Sequence, residues 1–416
     1  MVLSKHDDTF CLCLQESATR HTANILNMFT SFITTAPTYV CLFWAILLLM
    51  DYRNNSSNGK RILFWYMLTC SVLYFAHYCY FGHYLQLLAV TDCLYSFANL
   101  AVFPLFYIYV RKITTNRLST KGVVLHLLPA LVISLSNILL HSGLTREEQQ
   151  QFFLCYMYNQ GNCTSTTDQM LSFTHIAARV IFPIQVIVYL TSSLKSIRQF
   201  NKNVANHYSD IEQRNMSFLN HLLWLTIFAS IGAMVASLLS RTFFSHNMLL
   251  LAVPSFLFSC VLFLIGYDGY RRSFSADVFE QELSGNALDE GDGEAIAAED
   301  IAMTQEAASQ LAERLLQLLK EEKLYLRPDL KISDITLKLQ TNRNYLYYAI
   351  NDSLHTSFAE LVNSMRIEQA QEILKNHPQC NLYDLMTQSG YTSESTFFRN
   401  FKKITGKTPK QWAEDS

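Results

Sequence analysis

GYTSESTFFRNFKKITGKTP, from Gly390 to Pro409, is the stretch that decides how the carboxyl-terminal part of this chain folds. At 3.6 residues per turn it predicts a helix whose buried face comprises Phe397, Asn400, Phe401 and Ile404. Gly390 suits a tight turn before this helix, and Ser393 suits its N-cap. An apolar stripe before the turn predicts a second short helix, and it consists of Leu382, Leu385 and Met386. Two short helices joined by such a turn form a helix-turn-helix.

The same unit recurs upstream. The stripe Leu382, Leu385 and Met386 is repeated 50 residues earlier by Ile332, Ile335 and Thr336. The buried positions Phe397, Asn400 and Phe401 are repeated 51 residues earlier by Leu346, Ala349 and Ile350. Between the copies, residues 358–374 have the pattern of a longer amphipathic helix that ends before Pro378. The second helix of each unit would be held by one rigid connecting helix. The two could then reach successive major grooves on the same side of a DNA duplex, about 34 Å apart.

The region from about Leu330 to Trp412 resembles the DNA-binding domain of the AraC family of bacterial transcription regulators. The second copy, SGYTSESTFFRNFKKITGKTP, matches that family's pattern most fully, and the resemblance covers about a fifth of the chain. The first copy, YLYYAINDSLHTSFAELVNSMRIEQAQEIL, departs from it at two positions. Tyr348 stands where an arginine often follows, and His355 stands where a turn glycine is common. The resemblance implies binding to double-stranded promoter DNA.

The outward positions of the two second helices are the candidate DNA-binding residues. They are Arg343, Asn344, Tyr347, Tyr348, Asn351, Glu394, Ser395, Phe398, Arg399, Lys402 and Lys403. A guanidinium can pair bidentately with guanine, which favours Arg399 as a base contact, and Phe398 could meet a thymine methyl group. The lysines suit phosphates, which position a protein without reading sequence. The alternative for Arg399 is a surface ion pair with an acidic neighbour.

The first part of the chain is different, because it is rich in long apolar segments. Seven of them approach or exceed the 20 or so residues that a helix needs to cross a bilayer. They lie near 29–50, 62–82, 86–110, 122–141, 171–194, 218–240 and 247–267. Residues 1–28 lack the apolar run of a cleavable signal peptide. We therefore expect an all-α protein with a seven-helix transmembrane bundle, a flexible acidic linker and a carboxyl-terminal double helix-turn-helix domain.

Charge in the loops predicts the orientation. Thirteen Lys and Arg residues fall on one side of the seven segments and four on the other, which places the richer side in the cytoplasm. The amino terminus is then outside the plasma (inner) membrane, and the DNA-binding domain is cytoplasmic. The predicted domains are an extracytoplasmic segment 1–28, a membrane domain 29–272, a linker 273–300, an amphipathic helix 301–323 and a DNA-binding domain 324–416.

Two segments between the membrane and DNA-binding domains leave alternatives open. The linker 273–300 is acidic and Gly-containing, so it is expected to be flexible. It is either a spacer or an acidic strand that competes with DNA for the basic reading helix. The helix 301–323 has apolar residues at intervals of three and four, which is typical of a short heptad seam. This seam either forms a dimer contact or packs against the DNA-binding domain.

Ionisable residues inside the predicted spans are the candidates for signal sensing. Asp92, His175 and Arg179 lie in the outer halves of their spans, and such groups tend to face the bundle interior or a water-filled cavity. His77, His83 and His141 fall near the same level. A pocket that opens outward, with Arg179 available to an anionic group, is one interpretation. An Asp92–Arg179 pair that only holds helices together is the other.

Cysteine spacing favours a disulfide and no metal site. Cys155 and Cys163 flank an outer loop in an oxidising compartment, with Cys11 and Cys13 as competing partners. The chain has no zinc-ligand spacing, Gly-rich phosphate loop or nucleophile elbow, so we expect neither a metal nor another cofactor.

The sequence as a whole indicates a membrane-embedded, one-component transcription regulator rather than an enzyme. The expected partners are promoter DNA, the lipid bilayer, a second copy of the chain, RNA polymerase, and a small-molecule or membrane-derived signal. Two rival interpretations are a membrane enzyme or transporter with a regulatory DNA-binding tail, and a membrane anchor without a sensing role.

Overall fold

A computed structural model describes residues 28–29, 31–51, 58–116, 119–158, 160, 163, 165–212, 214–238, 248–289 and 304–415. Regular structure in these ranges is helical, and the β pairing among them is an isolated antiparallel bridge between Tyr208 and Lys331. The chain forms two compact units. The amino-terminal unit contains Met1–Ser196 and Phe218–Ser273, and the carboxyl-terminal unit contains Ile197–Ser217 and Phe274–Ser416.

The amino-terminal unit is built from long apolar helices. They are α1 (Ser31–Asp51), α2 (Asn58–Phe81), α3 (Leu85–Thr115), α4 (Thr120–Ser142), the short α5 (Arg146–Phe152), α6 (Thr166–His207), α7 (Ser217–Leu238) and α8 (Met248–Arg271). Among the described residues, six helices are long and apolar enough to cross a membrane, and Ser217–Gly232 is a shorter apolar helix. The prediction of several membrane-length helices is confirmed, whereas the count of seven spans stays a prediction.

The outward faces of these helices carry large apolar side chains. Leu125 and Leu139 on α4 are 67% and 64% exposed, and Phe173 and Ile187 on α6 are 70% and 62% exposed. In water, contiguous exposed surface of this kind would promote association. Such faces are the ones that lipid would cover.

A short connection precedes α6. Thr145 caps α5 by accepting a hydrogen bond from the backbone N–H of Glu148, and the Glu148 carboxylate accepts one from the backbone of Thr145. A π-helical turn, Phe153–Met157, follows α5. Cys155 in this turn is joined to Cys163 by a disulfide. Their proposed competitors, Cys11 and Cys13, lie outside the described residues.

Among the described residues, the carboxyl-terminal unit contains the end of α6 and eight further α-helices. These are α9 (Ala276–Asp289), α10 (Gln305–Glu321), α11 (Ile332–Leu339), α12 (Arg343–Tyr348), α13 (Phe358–Asn376), α14 (Leu382–Gln388), α15 (Glu394–Thr405) and α16 (Pro409–Asp415). Residues 208–216, which connect α6 to α7 and which we call the α6–α7 segment, also belong to this unit.

The linker prediction needs a correction over its first half. Residues 276–289 form α9 rather than a flexible segment. The rest of the predicted linker, residues 290–300, lies outside the described residues. The physical reason is a set of apolar residues among the acids: Phe274, Ala276 and Phe279 are at most 8% exposed. Phe279 packs against the rings of Phe200 and Tyr208. This burial orders a segment that its net charge alone would leave solvated.

The seam of the predicted helix 301–323 is buried inside the unit. Ala308, Leu311 and Leu315 of this seam are 0–6% exposed, and Leu318 is partly buried. Leu311 and Leu315 belong to a core shared with α11, α12 and the start of α13, and Leu318 packs against it. Of the two alternatives for this seam, the structure has the packing arrangement, so these side chains are not available to a second copy. Ile301 of the seam lies outside the described residues.

Helix α13 joins two separate hydrophobic cores. Its first half supplies Phe358, Val362 and Met365 to the first core, with α10, α11 and α12. Its second half supplies Ile367, Ala370 and Leu374 to the second core, with α14 and α15. The sequence predicted this helix and its end before Pro378, and α13 ends at Asn376. One rigid helix therefore sets the spacing of the two helix-turn-helix units.

Candidate nucleic-acid interface and a buried polar cluster

The second helix-turn-helix, α14 and α15, follows the sequence pattern closely. Phe397 and Phe401 are 0% exposed, and each contributes on the order of 2–3 kcal/mol through burial. Ser393 caps α15 by accepting a hydrogen bond from the backbone N–H of Thr396 at 3.4 Å, as predicted. Ile404 was expected on the buried face but is 44% exposed, because it lies in the last turn of α15, beyond the reach of the second core.

Gly390 is required at the turn between the two helices. Its φ is +81°, and a Cβ atom there would lie 2.7 Å from the backbone oxygen of Leu326. Both the left-handed conformation and the close approach of backbone exclude a larger residue. Gln340, the C-cap of α11, stands in the corresponding place of the first unit and has a φ of +49°. His355, with a φ of +51°, corresponds instead to Gly406, which follows α15. The turn of the first unit therefore has the left-handed backbone that glycine favours, but without glycine.

The candidate DNA-binding residues of α15 lie on its solvent side. Glu394, Ser395, Arg399, Lys402 and Lys403 are exposed, and Phe398 is half-buried against Phe397. Lys403 Nζ lies 2.9 Å from the carboxylate of Glu360 on α13. The side chain of Lys403 is still 65% exposed, so this pair is weak and can exchange for a phosphate.

Arg399 forms the ion pair that the sequence left as an alternative. Its Nη2 atom lies 2.6 Å from Oε1 of Glu212, which belongs to the α6–α7 segment. Ser393 and Ser395 also donate hydrogen bonds to the Glu212 carboxylate, at 3.1 and 2.9 Å. Partial burial tends to raise the pKa of Glu212, but the hydrogen bonds from Arg399, Ser395 and Ser393 outweigh it and lower that pKa below its usual range. Glu212 is therefore a carboxylate at neutral pH.

The first helix-turn-helix offers fewer accessible side chains on its second helix. Arg343, Asn344 and Tyr348 are half-buried on α12. The Tyr347 hydroxyl lies 3.3 Å from Nδ1 of His207, and Asn351 donates a hydrogen bond to the backbone oxygen of Tyr347 at 2.8 Å. Burial raises the pKa of Tyr347 to about 12, with the charge of Arg343 opposing this shift. Tyr347 and Asn351 thus make contacts within the unit, unlike the outward residues of α15.

The sequence pattern did not predict two residues that position the helices of this unit, Arg366 and Asn363. Arg366 on α13 is 2% exposed and donates hydrogen bonds from Nε to the Tyr325 oxygen and from Nη2 to the Arg327 oxygen, both at 2.6 Å. Its guanidinium also lies 5.4 Å from the ring centre of Tyr391, which follows the turn glycine. Asn363, one turn earlier on α13, accepts a hydrogen bond from Asn400 of α15 at 3.1 Å. These contacts fix α15 and the 324–327 turn to α13.

In the amino-terminal unit, the candidate sensing residues divide between two places. Asp92 is 3% exposed, and its Oδ2 atom lies 3.2 Å from Nε2 of both His141 and His175. Arg179 lies instead over the ring of Tyr156, with its Cζ atom 5.4 Å from the ring centre. Among the described residues, the partners of Asp92 are thus two histidines, and the structure differs from the predicted alternative of an Asp92–Arg179 pair.

The histidine cluster continues into a buried polar layer between α3, α4 and α6. Asn137 is 0% exposed and donates a hydrogen bond to Ser96 at 2.7 Å, and Thr174 donates one to Asn137. Aromatic rings close the other side: His141 stacks on Phe153, and the rings of His175 and Tyr156 are 5.4 Å apart. Polar contacts between three helices of an apolar bundle specify how those helices pack.

Comparison with known proteins supports the assignment of the carboxyl-terminal unit. Residues 335–415 match the family described as a helix-turn-helix domain. The Msm operon regulatory protein of Streptococcus mutans is 28% identical over 21% of this chain and 31% of its own length. Two proteins of Staphylococcus aureus described as HTH-type transcriptional regulators are 30% and 32% identical over 22% of this chain and 12% of their own lengths.

The family match is confined to the carboxyl-terminal end of the chain. The chain spans less than a third of the length of each of these relatives. No solved structure matches the chain significantly. The geometry of the two helix-turn-helix units, their connecting helix and the matched residues agree: the carboxyl-terminal part of this protein is a helix-turn-helix domain of the AraC type, as found in transcription regulators.

Proposed function

We propose that this protein is a one-component transcription regulator that resides in the plasma membrane and binds promoter DNA through its cytoplasmic carboxyl-terminal domain. One observation carries the proposal: the same chain has several helices of membrane length and a helix-turn-helix domain that matches transcription regulators. Signal reception and DNA binding would then lie in a single polypeptide, so no kinase or receiver domain is needed to connect them.

DNA recognition is assigned mainly to α15. Its exposed side chains include an arginine that can read guanine and lysines that can hold phosphates. The test is selection of duplexes from a random-sequence library by the full-length protein in lipid nanodiscs. We expect enrichment of a defined site, and Arg399→Ala should weaken binding to it by about ten- to a hundredfold and relax one base position. Failure to enrich any sequence would refute the proposed function.

The membrane orientation has its own test. The loop charges predict that the tail faces the cytoplasm, as DNA binding requires. A cysteine introduced at Asp415 should react with a membrane-impermeant maleimide only after the cells are permeabilised, whereas one introduced at Ser4 should react in intact cells. The parent protein controls for native cysteines. Labelling of the tail cysteine in intact cells would contradict the orientation.

Signal sensing is assigned to the cluster around Asp92. Its buried carboxylate and two histidines join three helices, so a change in their hydrogen bonding changes how the helices pack. Arg179 is exposed beside Tyr156, where it could meet an anionic group. Arg179→Gln should leave protein level and DNA binding intact while it abolishes the response of a promoter reporter to the signal. Arg146→Gln, an exposed arginine on α5, is the matched control, and a normal response in Arg179→Gln would remove Arg179 from the site.

Dimerisation remains part of the proposal but needs another surface. Regulators that recognise paired half-sites commonly act as dimers. The apolar face of α10 is buried in the first core, so a second copy would have to meet the protein elsewhere, as would RNA polymerase. Cross-linking of full-length protein in native membranes would show whether a dimer exists.

A further inference from the structure

The α6–α7 segment is built into the DNA-binding unit. Ser209 is 1% exposed, and its backbone N–H and its hydroxyl both donate hydrogen bonds to the Leu330 oxygen, at 3.2 and 2.8 Å. From α13, Asn363 donates a hydrogen bond to the Ser209 oxygen at 3.0 Å, and Arg366 donates one to its hydroxyl at 3.4 Å. These buried contacts hold the segment against the helix that connects the two helix-turn-helix units.

This anchoring brings one acidic side chain to α15, the helix to which DNA recognition is assigned. Three residues after Ser209, the Glu212 carboxylate receives Arg399 at 2.6 Å, Ser395 at 2.9 Å and Ser393 at 3.1 Å. Ser395 and Arg399 are two of the outward residues of α15 that are assigned to DNA. A carboxylate offers the same kind of paired oxygen acceptors as a phosphate, and Arg399 cannot direct the same donors to Glu212 and to a guanine.

We propose that Glu212 is an autoinhibitory plug: it occupies the DNA-reading face of α15 and holds the regulator in a low-affinity state until the α6–α7 segment is withdrawn. The inference rests on the proposed function and deepens it by naming how the site is regulated. DNA must replace the carboxylate at Arg399 and Ser395, so the apparent affinity is reduced by the fraction of molecules that are closed.

The position of the plug in the chain supplies its link to the signal. The segment connects α6, which carries His175, to α7, so a rearrangement of these helices acts directly on the residues that hold Glu212. A second connection converges on the same place. Glu282 on α9, which follows the last apolar helix, accepts hydrogen bonds from Lys331 at 2.6 Å and from Tyr208 at 2.9 Å. Both chain segments that leave the apolar helices are thus fastened beside the first helix-turn-helix.

The experiment compares three full-length proteins in lipid nanodiscs: wild type, Glu212→Gln and Glu322→Gln. Glu322 is the matched control, because its exposed carboxylate pairs with Lys338 at the same 2.6 Å distance, but on α11 rather than on the reading helix. The probe is a fluorescent duplex from the pool that the full-length proteins enrich out of a random-sequence library, and its affinity is measured by anisotropy at fixed salt.

Glu212→Gln should bind the duplex about tenfold more tightly than wild type, which corresponds to about 1.4 kcal/mol, and Glu322→Gln should match wild type. Glu212→Asp retains the carboxylate and should restore most of the wild-type affinity. Equal or weaker binding by Glu212→Gln would overturn the plug while leaving the proposed function standing. Absence of binding by all of the proteins to every duplex would refute the proposed function and the plug together.

Discussion

The buried guanidinium of Arg366 should be the most sensitive single point of the DNA-binding unit. It donates two charged hydrogen bonds of 2.6 Å to the backbone oxygens of Tyr325 and Arg327. Arg366→Met fills most of the same space but leaves both buried oxygens without that donor. Charged hydrogen bonds contribute about 1.5–3 kcal/mol each, and the arginine's own desolvation offsets part of the sum. We therefore expect the opening free energy of this region to fall by about 3 kcal/mol.

Hydrogen exchange measured by mass spectrometry on the full-length protein reports this change directly. At about 1.4 kcal/mol per factor of ten, exchange in peptides from α13 and the 324–327 turn should become about a hundredfold faster, while peptides from α2 and α3 should not change. Lys375→Met removes a positive charge from the exposed side of the same helix and should have little effect. Protection in Arg366→Met within twofold of wild type would refute the assignment of Arg366 as a structural anchor.

Three further predictions concern the same unit. Gly390→Ala should lower the opening free energy of the second helix-turn-helix by about 1 kcal/mol more than Gly406→Ala. Both glycines have a positive φ, but only at Gly390 would an added Cβ atom lie against Leu326. Equal hydrogen exchange in the two variants would contradict this. Lys402→Ala should weaken binding to all duplexes alike and reduce the slope of log affinity against log salt by about 1, and a change in base preference would argue against a phosphate contact. Lys403 lowers the pKa of Glu360 below the ordinary 4.5. The Glu360 carboxylate therefore stabilises the fold above pH 4.5 and loses this contribution as the pH falls through its lower, folded-state pKa. Glu360→Gln should accordingly destabilise the unit by about 0.5 kcal/mol at neutral pH, and the difference from wild type, followed by denaturant titration, should vanish in acid.

Local periodicity was enough to predict the helix-turn-helix units. Phe397 and Phe401 lie on one face because the helical period places them there, and the same holds for Ile332 and Ile335 of the first unit. Ile404 shows the limit of that reasoning, since a residue in the last turn of a helix can have the right phase and still extend past the core.

Composition misled where a few apolar residues were decisive. The stretch 273–300 contains acids and no basic residue, which indicated a flexible linker. Burial of Phe274 and Phe279 nevertheless orders α9. Net charge averages over a segment, whereas folding depends on whether particular side chains find a partner surface.

Contacts between distant positions could not be deduced from the sequence. Glu212 and Arg399 are 187 residues apart, and nothing in the spacing of either segment signals their pairing. Arg366 resembles an ordinary surface residue of an amphipathic helix, and its burial depends on the backbone oxygens of a turn 39–41 residues away. The His141–Asp92–His175 cluster was only partly anticipated, because its three residues lie on three different helices, α4, α3 and α6, and local spacing does not show which helices pack together.

The discontinuity of the carboxyl-terminal unit bears on how the protein is made and how it can be recombined. During synthesis, Ser209 leaves the ribosome more than 100 residues before Leu330 and Asn363. This unit therefore cannot finish folding until the distal part of the chain has been synthesised and has packed against residues 197–217. A chimaera in which another regulator's DNA-binding domain replaces the chain from residue 304 onward would leave Ser209 without its hydrogen-bonding partners. A functional chimaera should therefore carry residues 197–217 together with the tail, as one inherited piece.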